Sequence, residues 1–221
     1  MKEENTHATY YNSKGEEVPS VTTVLKVFGK DLTGWANWLG FKRINVKEYV
    51  DDKARFGTYV HSVAEKYYGD DTVSEFADLT FMSQLEYQKL LSKFEYIKNT
   101  LAEQGYEVYG SEIEMHGERY GGTLDLLFYN KEKDSYLLLD FKTSKSTYRT
   151  MFIQLAAYCQ LLKETKGVKV DKVGIVLIMR DTDEQGFSNI VLSKDNMDNL
   201  EIFNKLLDIY YLLDDADKNA L

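Results

Sequence analysis

The hydrophobic pattern of the chain changes its period at Tyr106, and this change limits the folds that it can adopt. Before Tyr106 the apolar residues follow a helical period, whereas three short β-like runs follow it: YEVYGSEIEM, RYGGTLDLLFY and SYLLLDFKT. Next come a helix over about residues 149–166, two strands in KVGIVLIMR and FSNIVLS, and a C-terminal helix capped near Ser193 or Asp195. This order predicts an α/β or α+β domain built around a mixed sheet.

Capping residues delimit the helices expected before Tyr106. A hairpin in ATYYN, turning at Ser13, leads to Ser20, which is placed to cap the first helix. Ser83 and Glu86 form a capping box in front of the last one. The expected helices cover about residues 21–28, 34–48, 51–68 and 84–104.

Length and composition favour one well-folded domain over the whole of residues 1–221. Hydrophobic residues make up 43% of the chain, it has a single proline, and no internal repeat interrupts it. We expect a helical N-terminal part over about residues 1–105, a sheet core over about 106–193, and a C-terminal helix over about 194–221.

The single Cys159 excludes a disulfide framework and a four-cysteine metal site within one chain. The N-terminus has no apolar segment typical of a secretory signal, and no run approaches 18 apolar residues. The simplest expectation is a reducing, cytoplasmic setting, in a bacterium or a phage-infected host cell, without membrane association.

The net charge of −9 opposes a nucleic-acid role, because sequence-independent phosphate binding relies on lysine and arginine. Either the acidic surface lies away from a DNA channel, or DNA is not the partner. A metal site built from carboxylates is itself acidic, and bound cations partly reverse the local field. The charge therefore weakens the case for DNA without excluding it.

Asp140 and Lys142 stand two residues apart in the apolar run LLLDFKTSK. On a strand both side chains point to one face, and Leu139 and Phe141 point to the other. Burying either charge alone is costly, so each needs a partner or a metal. The alternative is a strand that runs out into solvent, where both residues are ordinary.

Asp125 has leucines on both sides in the preceding β-like run, fifteen residues before Asp140. A hairpin through NKEKD places the two strands side by side, and the two carboxylates then repel unless a cation lies between them. Such oxygen-rich sites suit Mg²⁺ or Mn²⁺. Alternatively, Asp125 caps a turn or bonds a backbone amide. Gly121 and Gly122 indicate a bulge, or a close approach by another backbone or DNA.

His61 lies at the flank of the apolar stripe of the third helix, with Glu65 one turn later. Beside a carboxylate site, His61 is a candidate nitrogen ligand that suits Mn²⁺ as well as Mg²⁺. Otherwise it is a surface or core histidine. Glu112, in the run YGSEIEM, could face the same cleft or could pair with Arg119.

Taken in order, these segments resemble the RecB-like branch of the PD-(D/E)XK nucleases. That branch has a helix histidine, an aspartate, a D/E-x-K strand and a Q-x-x-x-Y helix, matched here by His61, Asp125, Asp140 with Lys142, and Gln154 with Tyr158. PSVTTVL, the two tryptophans and GTYVH are similar to the N-terminal region of mitochondrial genome maintenance exonucleases and related phage exonucleases. The resemblance covers about residues 18–165. The first carboxylate lacks the proline of the family name.

The resemblance implies a restriction-endonuclease-like core, with a central mixed sheet flanked by helices and an N-terminal helical extension. Asp125 and Asp140 would ligate one or two divalent ions, Mg²⁺ or Mn²⁺, with His61 as a further ligand and the Phe141 carbonyl as another candidate. Glu112 and Glu65 are weaker candidates. Many relatives use four cysteines to bind an iron–sulfur cluster. This chain has one cysteine, so no cluster is expected here.

The remaining matched residues would act on the substrate. Lys142 would orient a water or stabilise charge on the phosphoryl oxygens. Gln154 and Tyr158 would position the substrate or support the carboxylates, although QLAAYCQLL also reads as an amphipathic core helix. Trp35 and Trp38 could stack on bases or, as the simpler interpretation, pack between helices.

The resemblance implies a divalent-metal-dependent deoxyribonuclease, acting as an exonuclease on single-stranded DNA or DNA ends. Recombination, repair or phage replication is the expected setting, with a recombination or replication protein as a candidate partner. A structure-specific endonuclease is one alternative, and a non-catalytic nucleic-acid-binding module that keeps the fold is another. The intact set of two aspartates and a lysine argues against the second.

Overall fold

The computed structural model describes residues 8–29, 32–69, 82–179, 190–193 and 197–219. Its elements follow the expected order of helices, three strands, a helix, two strands and a helix. They are β1 (Tyr10–Tyr11), β2 (Glu17–Val18), α1 (Val21–Leu25), a 3₁₀ turn (Lys26–Phe28), α2 (Thr33–Phe41), α3 (Val46–Tyr68), α4 (Gln84–Ala102), β3 (Tyr106–His116), β4 (Gly121–Asn130), β5 (Ser135–Lys142), α5 (Arg149–Lys166), β6 (Val170–Leu177), β7 (Ile190–Ser193) and α6 (Met197–Asn219). Asp195 and residues 187–189 of the expected last strand lie outside the described residues.

The predicted helix starts at Ser20 and Ser83 are confirmed. The Ser20 hydroxyl accepts a hydrogen bond from the Thr23 amide at 3.0 Å. Ser83 and Glu86 form the reciprocal capping box at the start of α4. Each cap satisfies backbone donors that the first helical turn leaves without an intrahelical partner.

The predicted boundary between the second and third helices is wrong. Instead of one helix over 34–48 and another from Asp51, α2 ends at Phe41 and α3 begins at Val46. The break occurs where Arg43 adopts a positive φ of 56°, which a helix cannot contain. Asn45 then caps α3, because its side-chain oxygen accepts hydrogen bonds from the amides of Lys47 and Glu48.

The sheet has the strand order β3-β4-β5-β6-β7. Only the β5–β6 pair is parallel, and the other three pairs are antiparallel. Helix α5 makes the crossover that a parallel pair requires and ends at Gly167, whose φ is +70°. The predicted mixed sheet is therefore confirmed.

Hydrophobic clusters cover both faces of the sheet. On one face, Leu124, Leu127 and Leu138 pack with residues of α1, α5 and α6. On the other face, residues of α3 and α4 pack against a strand set that includes Leu139 and Phe141. Leu139 and Phe141 thus lie on the face predicted for them. None of the helices in the described ranges is both long and apolar enough to cross a membrane.

Candidate active site

Asp125 lies where the ladder between β4 and β5 ends. The ladder pairs Leu126–Asn130 with Ser135–Leu139, and Asp125 is the first β4 residue beyond it. Its Oδ2 accepts the amide hydrogen of Phe141 at 2.6 Å. The side chain thus takes the place of a strand carbonyl, and the expected alternative of a bond to a backbone amide is correct for this oxygen. The other oxygen, Oδ1, points to α3.

Three ligand-type side chains converge at this point. His61 Nδ1 lies 3.4 Å from Asp125 Oδ1 and 4.0 Å from Glu112 Oε1. One donor atom from each residue lies within 4.8 Å of the donor atoms of the other two. Helix α3 therefore supplies one imidazole, and the consecutive strands β3 and β4 supply two carboxylates, to a single point.

Glu112 reaches this cluster through an unusual backbone conformation. It lies between the register pairs Ser111↔Leu126 and Ile113↔Leu124, opposite Asp125, and its φ is +46°. Few non-glycine residues adopt this region, and those that do concentrate at functional sites. Burial, with a smaller contribution from the Asp125 charge, raises the pKa of Glu112 to about 7.

Asp140 and Lys142 form a buried ion pair beside the cluster. Asp140 is only 1% exposed, and Lys142 Nζ lies 2.5 Å from its Oδ2. Within the described part of the chain, neither oxygen has a hydrogen-bond partner of suitable angle, so the carboxylate depends on this ion pair. The alternative of a strand that runs out into solvent is wrong.

Burial and charge shift the pKa of both members of the pair. Burial raises the pKa of Asp140 to about 6, against the opposing influence of the Lys142 ammonium. Burial lowers the pKa of Lys142, but the charges of Asp140 and Asp125 outweigh it, so the net pKa is raised. Lys142 is therefore a cation at neutral pH.

The His61–Asp125 contact also fixes charge. Burial lowers the pKa of His61, but its contact with Asp125 outweighs burial and the net pKa is raised. For Asp125, burial raises the pKa, while His61 and Lys142 together lower it below its usual value. The negative charge of Asp125 is thus compensated from two sides.

Gln154 and Tyr158 face the same region from α5. Gln154 Nε2 donates to Tyr158 Oη at 3.0 Å, and both side chains are buried. Burial, followed by the charges of Asp140 and Asp125, raises the pKa of Tyr158 well above its usual value. The pair therefore belongs to the core helix and also adjoins the acidic strands.

The paired glycines at the start of β4 make room for tyrosine rings. A Cβ at Gly121 would lie 2.4 Å from Tyr10, and one at Gly122 would lie 2.7 Å from Tyr158. Tyr10 also bonds Thr123 at 2.9 Å. Another backbone also approaches, as predicted, because the Gly121 amide donates to the Pro19 carbonyl at 3.0 Å and Gly121 forms a parallel bridge with Ser20. Side chains and backbone of the same chain thus occupy the space beside these glycines. Tyr10 has no local sequence signal, because its partner lies 113 residues away.

Residues 38–208 match the family model of the PD-(D/E)XK nuclease superfamily. The chain belongs to this superfamily. The predicted family and the restriction-endonuclease-like fold are confirmed, and the assignment supports a nuclease. No curated protein matches the sequence at a significant level.

Two solved structures similar to this nuclease are exonucleases. A phage-related exonuclease from Haemophilus somnus 129PT is 12% identical, with a TM-score of 0.39, over 86% of this chain and 90% of that one. The alkaline exonuclease LHK-Exo from Laribacter hongkongensis is 13% identical, with a TM-score of 0.33, over 72% of this chain and 92% of that one.

The donor set of the nuclease fits a divalent metal, which PD-(D/E)XK nucleases use. Two carboxylates and one imidazole converge, and hard divalent cations prefer oxygen ligands. The residues that could hold the ion are His61, Glu112 and Asp125. Asp140 lies outside this group of three. Its oxygens have no hydrogen-bond partner among the described residues, and its charge contributes to the raised pKa of His61.

Two other candidate ligands are placed differently. The Phe141 amide donates a hydrogen bond to Asp125, and a role for the Phe141 carbonyl as a metal ligand remains a prediction. Glu65 is exposed and lies outside the three-residue group, although its charge raises the pKa of Glu112. Arg119 does not pair with Glu112, because it binds Asp208 at 2.7 Å.

Proposed function

We propose that this nuclease is a divalent-metal-dependent deoxyribonuclease that acts as an exonuclease on single-stranded DNA or DNA ends. The observation that carries the proposal is the convergence of His61, Glu112 and Asp125 beside the buried pair of Asp140 and Lys142. A structural ion pair alone does not need a second group, of two carboxylates and an imidazole whose ligand atoms lie within 4.8 Å of one another and two of whose members are partly exposed.

His61, Glu112 and Asp125 would hold Mg²⁺ or Mn²⁺, with Asp140 as a further carboxylate. A bound ion of this kind lowers the pKa of a water and polarises a phosphate. Lys142 is cationic because Asp140 and Asp125 raise its pKa. We therefore assign Lys142 the role of stabilising negative charge on the phosphoryl oxygens, which is a task for a cation and not for a base.

Tyr158 and Gln154 would position the acidic groups or the substrate. Tyr158 keeps its proton at neutral pH because its pKa is raised. Since its oxygen accepts the hydrogen bond from Gln154, its own hydroxyl hydrogen can be donated to a carboxylate or a phosphate oxygen.

The test compares the wild type with Lys142→Ala on linear single-stranded, linear double-stranded and circular single-stranded DNA. Each substrate is incubated with Mg²⁺, with Mn²⁺ and with EDTA. Lys205→Ala is the matched control, because Lys205 is 70% exposed on α6 and forms only a surface pair with Glu201. Circular dichroism verifies that each variant is folded.

We expect metal-dependent loss of linear DNA by the wild type and by Lys205→Ala, and little or none by Lys142→Ala. If the circular DNA is not cleaved, the enzyme needs a DNA end. That is the activity expected of an exonuclease in recombination, repair or phage replication. Cleavage of the circle contradicts the exonuclease and favours the structure-specific endonuclease. Folded protein that cleaves nothing under any condition contradicts the nuclease and favours a nucleic-acid-binding module.

A further inference from the structure

Helix α2, the turn after it and the start of α3 carry an exposed surface of aromatic and basic side chains. Trp38 is 54% exposed and Phe41 is 84% exposed. The three basic residues that follow are also exposed. We call this surface the α2 patch and define it as Trp38, Phe41, Lys42, Arg43 and Lys47.

The two tryptophans of α2 have different environments. Leu39 is completely buried, and half-buried Trp35 packs edge-on against Tyr49 of α3, with ring centroids 5.9 Å apart. Trp38 and Phe41 are three residues apart and therefore neighbours on the helix, and their exposure shows that both face solvent. Packing between helices, the simpler interpretation from sequence, is correct for Trp35, which contacts α3, whereas Trp38 is exposed.

The segment that carries the patch has the opposite charge to the whole chain, although the acidic Glu48, Asp51 and Asp52 follow it on α3. Residues 32–47 contain three basic residues and no acidic one, whereas the complete chain has a net charge of −9. A segment that combines a local excess of positive charge with accessible aromatic faces is complementary to a polyanion whose bases are unpaired. Duplex DNA offers the same phosphates but keeps its base faces stacked.

Helix α3 connects the patch to the candidate active site. Near its start, Tyr49 contacts Trp35 and lies under the ammonium of Lys53, 5.5 Å from the ring centroid. Lys53 and His61 are separated by eight residues, and Tyr49 and His61 by twelve. At 1.5 Å per residue, Tyr49 is about 18 Å from His61 along the helix axis. A strand bound at the patch has to extend over only a few nucleotides to reach the site.

We propose that the α2 patch binds single-stranded DNA, with bases stacked on Trp38 and Phe41 and phosphates next to Lys42, Arg43 and Lys47. From there the strand follows α3 to the metal-ligand cluster. This inference rests on the proposed deoxyribonuclease function, and it assigns to the enzyme a second contact with the substrate, remote from the cleavage chemistry.

Tryptophan fluorescence reports directly on this contact, because the chain has only two tryptophans. In Trp35→Phe, Trp38 is the sole tryptophan. Titration with a 20-nucleotide oligothymidylate in EDTA is expected to quench its emission, whereas Trp38→Phe, which retains only Trp35, shows little quenching. Unquenched Trp38 overturns the proposal. The proposal is also overturned if the emission of Trp38 does not respond to the oligonucleotide but changes in another condition. A change with vesicles of phosphatidylglycerol would favour a membrane, and a change with protein concentration would favour a second copy of the chain.

A binding and cleavage comparison separates the patch from the active site. The double variant Trp38→Ala/Phe41→Ala should bind the 20-mer roughly 5- to 150-fold more weakly for each stack that is lost. Cleavage of a dinucleotide, too short to reach the patch, should be unchanged. Tyr96→Ala, which removes a 57% exposed aromatic ring from α4, is the matched control.

The outcomes of this comparison are distinct for the two proposals. The proposal for the α2 patch is overturned if the double variant loses cleavage of the long and short substrates equally, or loses neither. If the wild type cleaves neither substrate, the proposed function fails, and the binding constants in EDTA still decide whether the patch contacts single strands. For Lys42→Gln, the slope of log affinity against log salt should be shallower by about 0.7.

Discussion

Replacing Lys142 by methionine removes the cation beside a carboxylate that is only 1% exposed, that of Asp140. The substitution roughly preserves side-chain length, so the main change is the loss of charge. Because neither Asp140 oxygen has a well-oriented hydrogen-bond partner among the described residues, the ionised carboxylate would then be left without direct compensation. We expect a loss of stability that depends on pH.

The magnitude of this loss follows from the shifted pKa of Asp140. Burial raises that pKa from 3.8 to about 6 even with Lys142 present. At about 1.4 kcal/mol per pH unit, ionised Asp140 already lowers the free energy of unfolding by roughly 3 kcal/mol. Without Lys142, the largest influence that lowers the pKa, the penalty grows. Because Asp140 can take up a proton instead of staying charged, the total penalty at pH 8 cannot exceed about 6 kcal/mol, which is about 1.4 kcal/mol for each pH unit above 3.8. Beyond the roughly 3 kcal/mol already present in the wild type, we therefore expect Lys142→Met to lose up to about 3 kcal/mol at pH 8.

The sign of the pH dependence is fixed by the direction of the shift. Because the pKa of Asp140 is higher in the folded than in the unfolded protein, the penalty is absent below about pH 4. It grows as the pH rises and is complete above the folded-state pKa. Lys142→Met should therefore be much closer to the wild type at pH 5 than at pH 8.

Urea unfolding in EDTA at the two pH values measures this effect. Asp140→Asn/Lys142→Met should recover most of the stability at pH 8, since it also removes the buried charge. Lys205→Met, at an exposed pair on α6, should change the free energy of unfolding by less than about 1 kcal/mol. A loss for Lys142→Met that is the same at pH 5 and pH 8, or smaller than about 1 kcal/mol at both, would refute the reasoning.

Three further predictions concern the metal-ligand cluster and its supporting strand. Glu112→Gln should weaken Mn²⁺ binding more than tenfold by calorimetry, whereas Glu114→Gln, at a half-exposed position on the same strand, should not. Protons compete with the metal, because the pKa of Glu112 is raised to about 7 and that of His61 is also raised. Mn²⁺ affinity should therefore increase from pH 6 to pH 8, by up to about tenfold per pH unit for each proton released. An affinity that does not change with pH would contradict this. Gly121→Ala should lose about 1–3 kcal/mol in urea unfolding, because its Cβ would overlap a tyrosine ring, while Gly34→Ala, with nothing within 4 Å, should not be destabilised.

The elements that the sequence predicts well are those fixed by local chemistry. The bounds of α5 follow from its apolar period and from Gly167, which adopts the left-handed conformation that ends a helix. The start of α4 follows from a capping box within four residues. The opposite orientations of Asp140 and Phe141 follow from the two-residue period of a strand.

The features that the sequence did not predict depend on backbone irregularities or distant contacts. Arg43, at a positive φ, ends the turn after α2, and nothing in its local pattern marks that break. Glu112 also has a positive φ, and its position opposite Asp125 depends on a register between strands that only the folded sheet defines. The different exposures of Trp35 and Trp38 depend on which of them contacts α3, and two identical residue types on one helix do not reveal this in sequence.

The net charge of −9, which opposes DNA binding when taken as a single number, has a different meaning once it is divided among these surfaces. Three carboxylates, of Glu112, Asp125 and Asp140, are gathered where a divalent ion would offset them, so part of the negative charge belongs to the proposed chemistry. The segment 32–47 has the opposite sign and presents aromatic faces to solvent. An acidic enzyme of this kind gains little from long-range attraction to DNA. Under the proposed function, its affinity for DNA would therefore come from short-range stacking and from the metal, and this combination would favour single strands over duplexes.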